Sequence, residues 1–313
     1  MKLKSLLSNR KATFGLLIFG LFLLVSVFPG LFTTDHSPDT PAVYLPRLGP
    51  STAHLLGTTS LGQDIYSQLI YGTRQSLEIA VIAGAFATVL SVLIGVSAAY
   101  LGGLVDDVLS LFTNVVLILP TFPLIIILAR YAGQSNTVMI TVLVATGWSY
   151  GANQLRAQAL SLRNRDFLES ARVRGERPSY IILFEMLPTM ISLIVANFLG
   201  AALYSVGAAA GLQFLGLGDQ THDSWGLMLY WAQSQEALAT GSEWWALAPG
   251  LCIALLGASF ALMNYAFDEI GNPALRPVRR KDLRRNAMFG KSGKNGRNGK
   301  NKEGADRVLV DAS

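Results

Sequence analysis

The chain has 313 residues, 51% of them hydrophobic and only 14% charged, against roughly 25% charged in soluble domains. That balance excludes a large soluble core and indicates a polytopic membrane protein, in which each crossing helix needs about 20 mostly apolar residues. The net charge of +5 reflects the stretch from Arg276 to Ser313, which carries twelve Lys/Arg and four Asp/Glu, so the basic balance is a property of the tail and does not imply nucleic-acid binding.

In chain order, residues 1–11 are a basic N-terminus that leads into an apolar run at 12–32, from Ala12 to Phe32. The run is longer than the usual core of a signal peptide and no small-x-small site follows, so it is expected to remain as a first transmembrane helix. Residues 33–76 mix Gly, Pro, aromatic and polar side chains and are expected outside the membrane. Further apolar runs cover Leu77–Leu101, Val108–Leu128, Val138 to about Tyr150, Leu187 to about Leu212, and Trp245–Phe267. The fourth continues into the polar Gly151-Ala-Asn-Gln154. The expectation is an all-α polytopic membrane protein with six transmembrane helices, five of them within a core at 77–276.

Pro120 and Pro123 each lack a backbone donor, which predicts a kink or break in the third span. Small residues such as Gly84, Gly95, Gly200 and Gly207 predict close helix approach, either within the bundle or at a subunit interface or pore. Glu78 and Glu185 fall at span ends, and no Lys or Arg falls inside a span, which disfavours a voltage sensor or charge-relay pump. Cys252 is the single cysteine, and His36, His54 and His222 are scattered along the sequence, so no metal site is expected.

Four basic residues precede the first span, and twelve follow the sixth. Six arginines lie between the fourth and fifth: Arg156, Arg163, Arg165, Arg172, Arg174 and Arg177. The opposite side receives Arg47, Arg74 and Arg130. The positive-inside rule therefore places both termini and the segment 156–180 in the cytoplasm. The turn Gly102–Asp107 falls on the same side, with Asp106 and Asp107 suited to a helix N-terminus. The basic tail at 277–313 is rich in Gly, Asn and Lys and is expected to be disordered. It suits anionic lipid, and without interleaved aromatic residues it does not suit RNA.

Within 156–180, the stretch at about 165–175 reads as a short amphipathic helix. Asp166 and Glu169 have capping-box-like spacing, Phe167, Leu168 and Ala171 share an apolar face, and Gly175 with Pro178 ends the helix. So short a helix is not stable alone. Its apolar face calls for a partner, either lipid headgroups or another protein.

Glu169-Ser-Ala171, then Gly175, then Leu187-Pro188 resembles the EAA-Gly-LP signature of bacterial ABC importer permeases. His54-Leu-Leu-Gly-Thr-Thr-Ser-Leu-Gly-Gln-Asp64, continuing into Leu69-Ile-Tyr-Gly-Thr-Arg-Gln-Ser-Leu77, resembles the segment before the second span in their dipeptide/oligopeptide branch. Phe214-Leu-Gly-Leu-Gly218 with Ser224-Trp-Gly226 resembles the loop after the fifth. The match runs from about His54 to Arg276 and resembles the C-type member of a permease pair. Thr59 stands where that family often has aspartate, Gln63 where it often has arginine, and Ala209 where many members have glutamate.

The resemblance implies an inner-membrane permease subunit that forms half of a peptide pathway. It has a second permease subunit, two cytoplasmic ATPase subunits and an extracytoplasmic binding protein as partners. Relatives of similar build handle oligosaccharides or nickel chelates, and a secondary transporter is the alternative from another class. ATP and Mg are expected on the ATPase subunits, since neither Gly293-Lys294 nor Gly299-Lys300 sits in a phosphate-binding loop pattern. The chain itself is expected to bind no cofactor and to be no enzyme. The resemblance makes Asp166, Phe167, Leu168, Glu169, Ser170, Ala171, Arg172, Arg174 and Gly175 the coupling helix. Phe167, Leu168 and Ala171 would form its docking face. On the outer side Asp219, Asp223, Trp225 and Trp231 are candidates to meet the binding protein. Trp225 and Trp231, with Trp244 and Trp245, equally fit aromatic anchors at the membrane interface.

Overall fold

The structure, a computed structural model, describes residues 10–33, 40–41 and 43–271. Most of the basic N-terminus and the tail at 277–313 lie outside the described residues. The longer helices follow the apolar runs and α6 is amphipathic: α1 (Arg10–Val27), α2 (Ile65–Leu101), α3 (Gly103–Ile118), α4 (Thr121–Ala132), α5 (Asn136–Leu162), α6 (Asp166–Val173), α7 (Ile191–Phe214), α8 (Trp225–Ser234) and α9 (Trp244–Gly271). Among the described residues, α1, α2, α7 and α9 are long and apolar enough to cross a membrane, and α3 with α4 forms one further candidate bent by 88°. α5 is long enough but more polar, because it continues through Asn153, Gln154 and Arg156.

The bend sits at the predicted prolines. Pro120 cannot donate to the helix ladder, and Leu119 before it is driven to an extended conformation, φ −63 and ψ 135. Pro123 falls in the first turn of α4, where no donor is needed. The helix that carries the second span begins at Ile65, well ahead of Leu77. Asp64 caps it by accepting from the Ser67 amide and hydroxyl, both at 2.8 Å. With 37 residues α2 is roughly 55 Å long, which exceeds a hydrocarbon core of about 30 Å.

Small residues set the helix seams. A methyl group added at Gly84 of α2 would lie 2.8 Å from the Ala202 nitrogen of α7, and one at Gly95 would run into the Ala152 carbonyl of α5. α1 runs antiparallel to α9. Ala12 packs near Ala266, the Ser259 hydroxyl donates to the Gly15 carbonyl at 2.9 Å, and the rings of Phe19 and Phe260 are 5.5 Å apart.

These contacts sort the connections to two ends of the bundle. One end holds the Gly102 turn, with the Arg163 guanidinium against it, together with α6 and the start of α7. The other holds residues 43–64, the α4–α5 turn and α8. There Gln134 donates to the Gly216 carbonyl at 3.1 Å, and Trp225 Nε1 donates to the Leu69 carbonyl at 3.1 Å.

Candidate functional site

α6 starts at Asp166, one residue earlier than a capping box built on Asp166 and Glu169 would require. Arg165 occupies the cap position without a side-chain bond. Asp166 instead accepts the Ser170 hydroxyl on its main-chain carbonyl at 2.8 Å. Asp166 and Glu169 still lie in the first turn, where the helix dipole favours carboxylates. At the other end Gly175 takes φ +77, a left-handed conformation that glycine adopts without penalty. Its amide donates to the Arg172 carbonyl at 2.9 Å and the Glu176 amide to the Ala171 carbonyl at 3.2 Å, the paired closure of a Schellman turn.

The structure corrects the docking face. Leu168 and Ala171 are fully buried within the chain itself, against Val96, Ala99 and Tyr100 of α2, Leu155 and Ala159 of α5, and Ile181, Met186 and Met190. An eight-residue helix cannot hold its shape unaided, and the end of the bundle supplies its apolar seat. Arg172 adds to that seat, with its guanidinium 5.2 Å from the centre of the Tyr100 ring. Arg174 lies 3.6 Å from Glu185 and 4.0 Å from Glu176.

Phe167, Glu169, Ser170 and Val173 face outward. Val173 is 83% exposed. It is a lone valine between Arg172 and Arg174, off the amphipathic face, and that placement is its only signal in the sequence. After α6 the chain makes wide π-helical turns at Ile181–Met186, with the Leu187 amide reaching back to the Ile182 carbonyl. These turns precede Pro188, whose ring cannot fit a regular helical turn.

A second feature lies mid-bundle. A cleft of about 350 Å³ opens between α5 and α7, with Asn264 of α9 and the α3–α4 bend on its border. Thr146, Tyr150, Gln154, Asn197, Tyr204 and Asn264 give it hydroxyls and carboxamides, and among the described residues no charged side chain lines it. Glycines keep it open: a methyl at Gly151 would strike the Asn197 carboxamide, one at Gly147 would lie 3.1 Å from the Tyr204 ring, and one at Gly200 would lie 3.5 Å from Asn264 Nδ2. Moving a carboxamide from water to hydrocarbon without a partner costs roughly 4–8 kcal/mol, so these groups are not a lipid-facing surface. Only Gly151–Gln154 stood out in sequence, because the rest of the cleft comes from separate helices.

At the end of the bundle that holds residues 43–64 and α8 the candidates divide. Trp225 is fully buried, with its ring 5.2 Å from Phe22, so it neither meets a partner nor anchors at an interface. Trp245 is buried too, Trp231 is partly buried beside Tyr230, and Trp244 is half-exposed. Asp219 turns inward on its own loop. It accepts the Thr221 amide and hydroxyl at 2.9 and 2.6 Å and lies 3.4 Å from His222 Nδ1. Partial burial would raise its carboxyl, but those hydrogen bonds and His222 prevail and hold it below the ordinary carboxylate value. Asp223 is partly buried, while Gln220, Thr221 and His222 stand out.

The two departures noted before α2 touch each other. The Thr59 hydroxyl donates to Gln63 Oε1 at 3.3 Å and accepts the Gln63 amide at 3.2 Å. Ala209 packs in an apolar cluster with Ile125, Met139 and Val142.

Residues 91–269 match the family described as the binding-protein-dependent transport system inner membrane component. The chain is 30% identical over 277 residues to the dipeptide transport system permease protein DppC of Bacillus subtilis, an alignment that covers 87% of this chain and 85% of that one. It is 30% identical over 234 residues to the oligopeptide transport system permease protein OppC of Mycobacterium tuberculosis, covering 74% and 79%. A putative peptide transport system permease protein of Brucella abortus is 26% identical over 274 residues, covering 87% and 91%.

Proposed function

Because the chain belongs to the family of binding-protein-dependent transport system inner membrane components, we propose that it is one permease subunit of an ATP-driven peptide importer. It is a multi-pass inner-membrane protein and not itself a catalyst. In this reading six segments cross the membrane: α1, α2, the bent pair α3–α4, α5, α7 and α9. Both termini, the Gly102 turn and α6 are cytoplasmic. The arginines at 156–177 support that orientation, since basic residues collect on the cytoplasmic side.

The observation that carries the reading is the family match across 91–269, which contains both α6 and the polar cleft. α6 is the coupling helix, and Phe167, Glu169, Ser170, Val173 and Arg174 are the side chains presented to an ATPase subunit. Leu168, Ala171 and the Arg172–Tyr100 contact tie the helix to the ends of α2 and α5, so a push on α6 moves those helices with it. Gly175 permits the turn that follows. A second permease subunit completes the pathway. A binding protein docks at the outer end near Gln220–His222, and ATP and Mg belong to the two ATPase subunits.

The deciding experiment is uptake of labelled short peptides by cells with and without the chain. Loss of energy-dependent uptake on deletion, restored by the chain together with its ATPases but not with ATPases unable to hydrolyse ATP, is the expected result. Unchanged peptide uptake overturns the reading.

A further inference from the structure

We propose that the cleft walled by Tyr150, Gln154, Asn197, Tyr204 and Asn264 is this chain's side of the solute route, and that it handles its cargo only through uncharged amide and hydroxyl groups, so that passage is indifferent to the sign of the cargo's charge. The inference rests on the importer reading and adds to it the chemistry of the pathway wall.

Position is the first ground. α5 enters at Asn136 on the outer end and reaches Leu162 at the opposite end, so Thr146–Gln154 lie midway. α7 runs the other way, and Asn197–Tyr204 meet them there. Openness is the second. Tyr150 is 72% exposed, Gln154 is exposed, and glycines face the Asn197, Tyr204 and Asn264 side chains instead of filling the space between them. A sealed seam of this bundle looks different: at Gly84 and Gly95 the backbones close directly on one another.

Chemistry is the third ground. A carboxamide offers both donors and an acceptor, and hydroxyls do both as well. Such groups complement the peptide bond, which has one donor and one acceptor and no net charge. Asn264 Oδ1 borders the cleft as a buried acceptor with no hydrogen bond among the described residues. With no Lys, Arg, Asp or Glu among the described residues of the wall, an acidic and a basic peptide meet the same surface. A bare metal cation or a polyanion finds no counter-charge.

The test uses the complete transporter and variants of the exposed Gln154. In cells, the uptake ratio of Ala-Lys to Ala-Glu is measured for the wild type, Gln154→Glu and Gln154→Lys. The expected result is a shift of about tenfold in opposite directions for the two variants, since a fixed charge in a narrow passage attracts one sign of cargo and repels the other. Shifts in the same direction, or none, overturn the proposal.

In open membrane fragments, Tyr150→Cys in a Cys252→Ser chain is treated with cationic and anionic water-soluble thiol reagents of equal size, and with a membrane-soluble one. Labelling by both charged reagents at similar rates supports the proposal. Labelling by the membrane-soluble reagent alone marks a lipid face, and no labelling marks a sealed subunit seam; either overturns it. If wild-type cells take up neither peptide, the importer reading itself fails, while the labelling still reports whether the cleft is wet.

Discussion

The guanidinium of Arg156 on α5 grips both carboxylate oxygens of Asp106 on α3, Nε to Oδ1 at 2.6 Å and Nη2 to Oδ2 at 2.8 Å. The Ser110 hydroxyl donates to the same carboxylate at 3.0 Å. The pair joins the start of α3 to the last turns of α5, close to the seat of α6.

Breaking that pair should weaken the bundle more than removing it. Both side chains are part-buried, and a charge left there without its partner costs roughly 1–3 kcal/mol. Asp106→Asn or Arg156→Gln is expected to lower the melting temperature in detergent, and Asp106→Asn with Arg156→Gln to recover part of the loss. Additive losses in the double variant would show that the two residues act separately.

The two faces of α6 should separate under mutation. Leu168→Ala empties a fully buried site and is expected to cost about 2–4 kcal/mol, visible as a lower melting temperature. Val173→Glu changes an exposed side chain and is expected to leave melting unchanged while cutting ATP-driven uptake severely. Full uptake by Val173→Glu would remove this face from the coupling surface.

Thr59 and Gln63 should be replaceable only together. Thr59 is fully buried, so Thr59→Asp alone places a carboxylate beside the Leu61 and Gln63 main-chain amides and the Gln63 carboxamide, none of which carries a charge. The same change with Gln63→Arg supplies its counter-charge. A coupling of roughly 1–3 kcal/mol is expected in a double-mutant cycle on detergent melting, and zero coupling would deny that the two positions form one unit.

Asp219 should show its contribution in the pH dependence. Its carboxyl lies lower in the folded chain than the ordinary value. The stabilisation is therefore complete above the unfolded pKa of about 4 and disappears as pH falls through the lower folded value. The stability gap between wild type and Asp219→Asn is expected to be constant near neutrality and to shrink below about pH 4. A gap that grows on acidification contradicts the sign.

Much of this chain was legible without coordinates, because apolar runs of about 20 residues and proline breaks are local signals. Pro120 marked the break, and the turn at Gly175 was read from its position alone. α8 was missed because its ten residues lie in a loop of mixed composition. The start of α2 was missed because polar residues at 66–76 looked like loop, although Asp64 caps a helix through them.

What the sequence determined by itself was the all-helical membrane class, the segregation of arginines and the place of α6 between two long helices. Tertiary structure decided which way each side chain faces. Leu168 and Ala171 read as a docking surface because periodicity marks an apolar face without saying what covers it, and here α2 and α5 cover it. The cleft took shape only when Gln154, Asn197 and Asn264 arrived from three helices, since hydrogen-bonding groups far apart in the chain leave no periodic trace until the backbone brings them together.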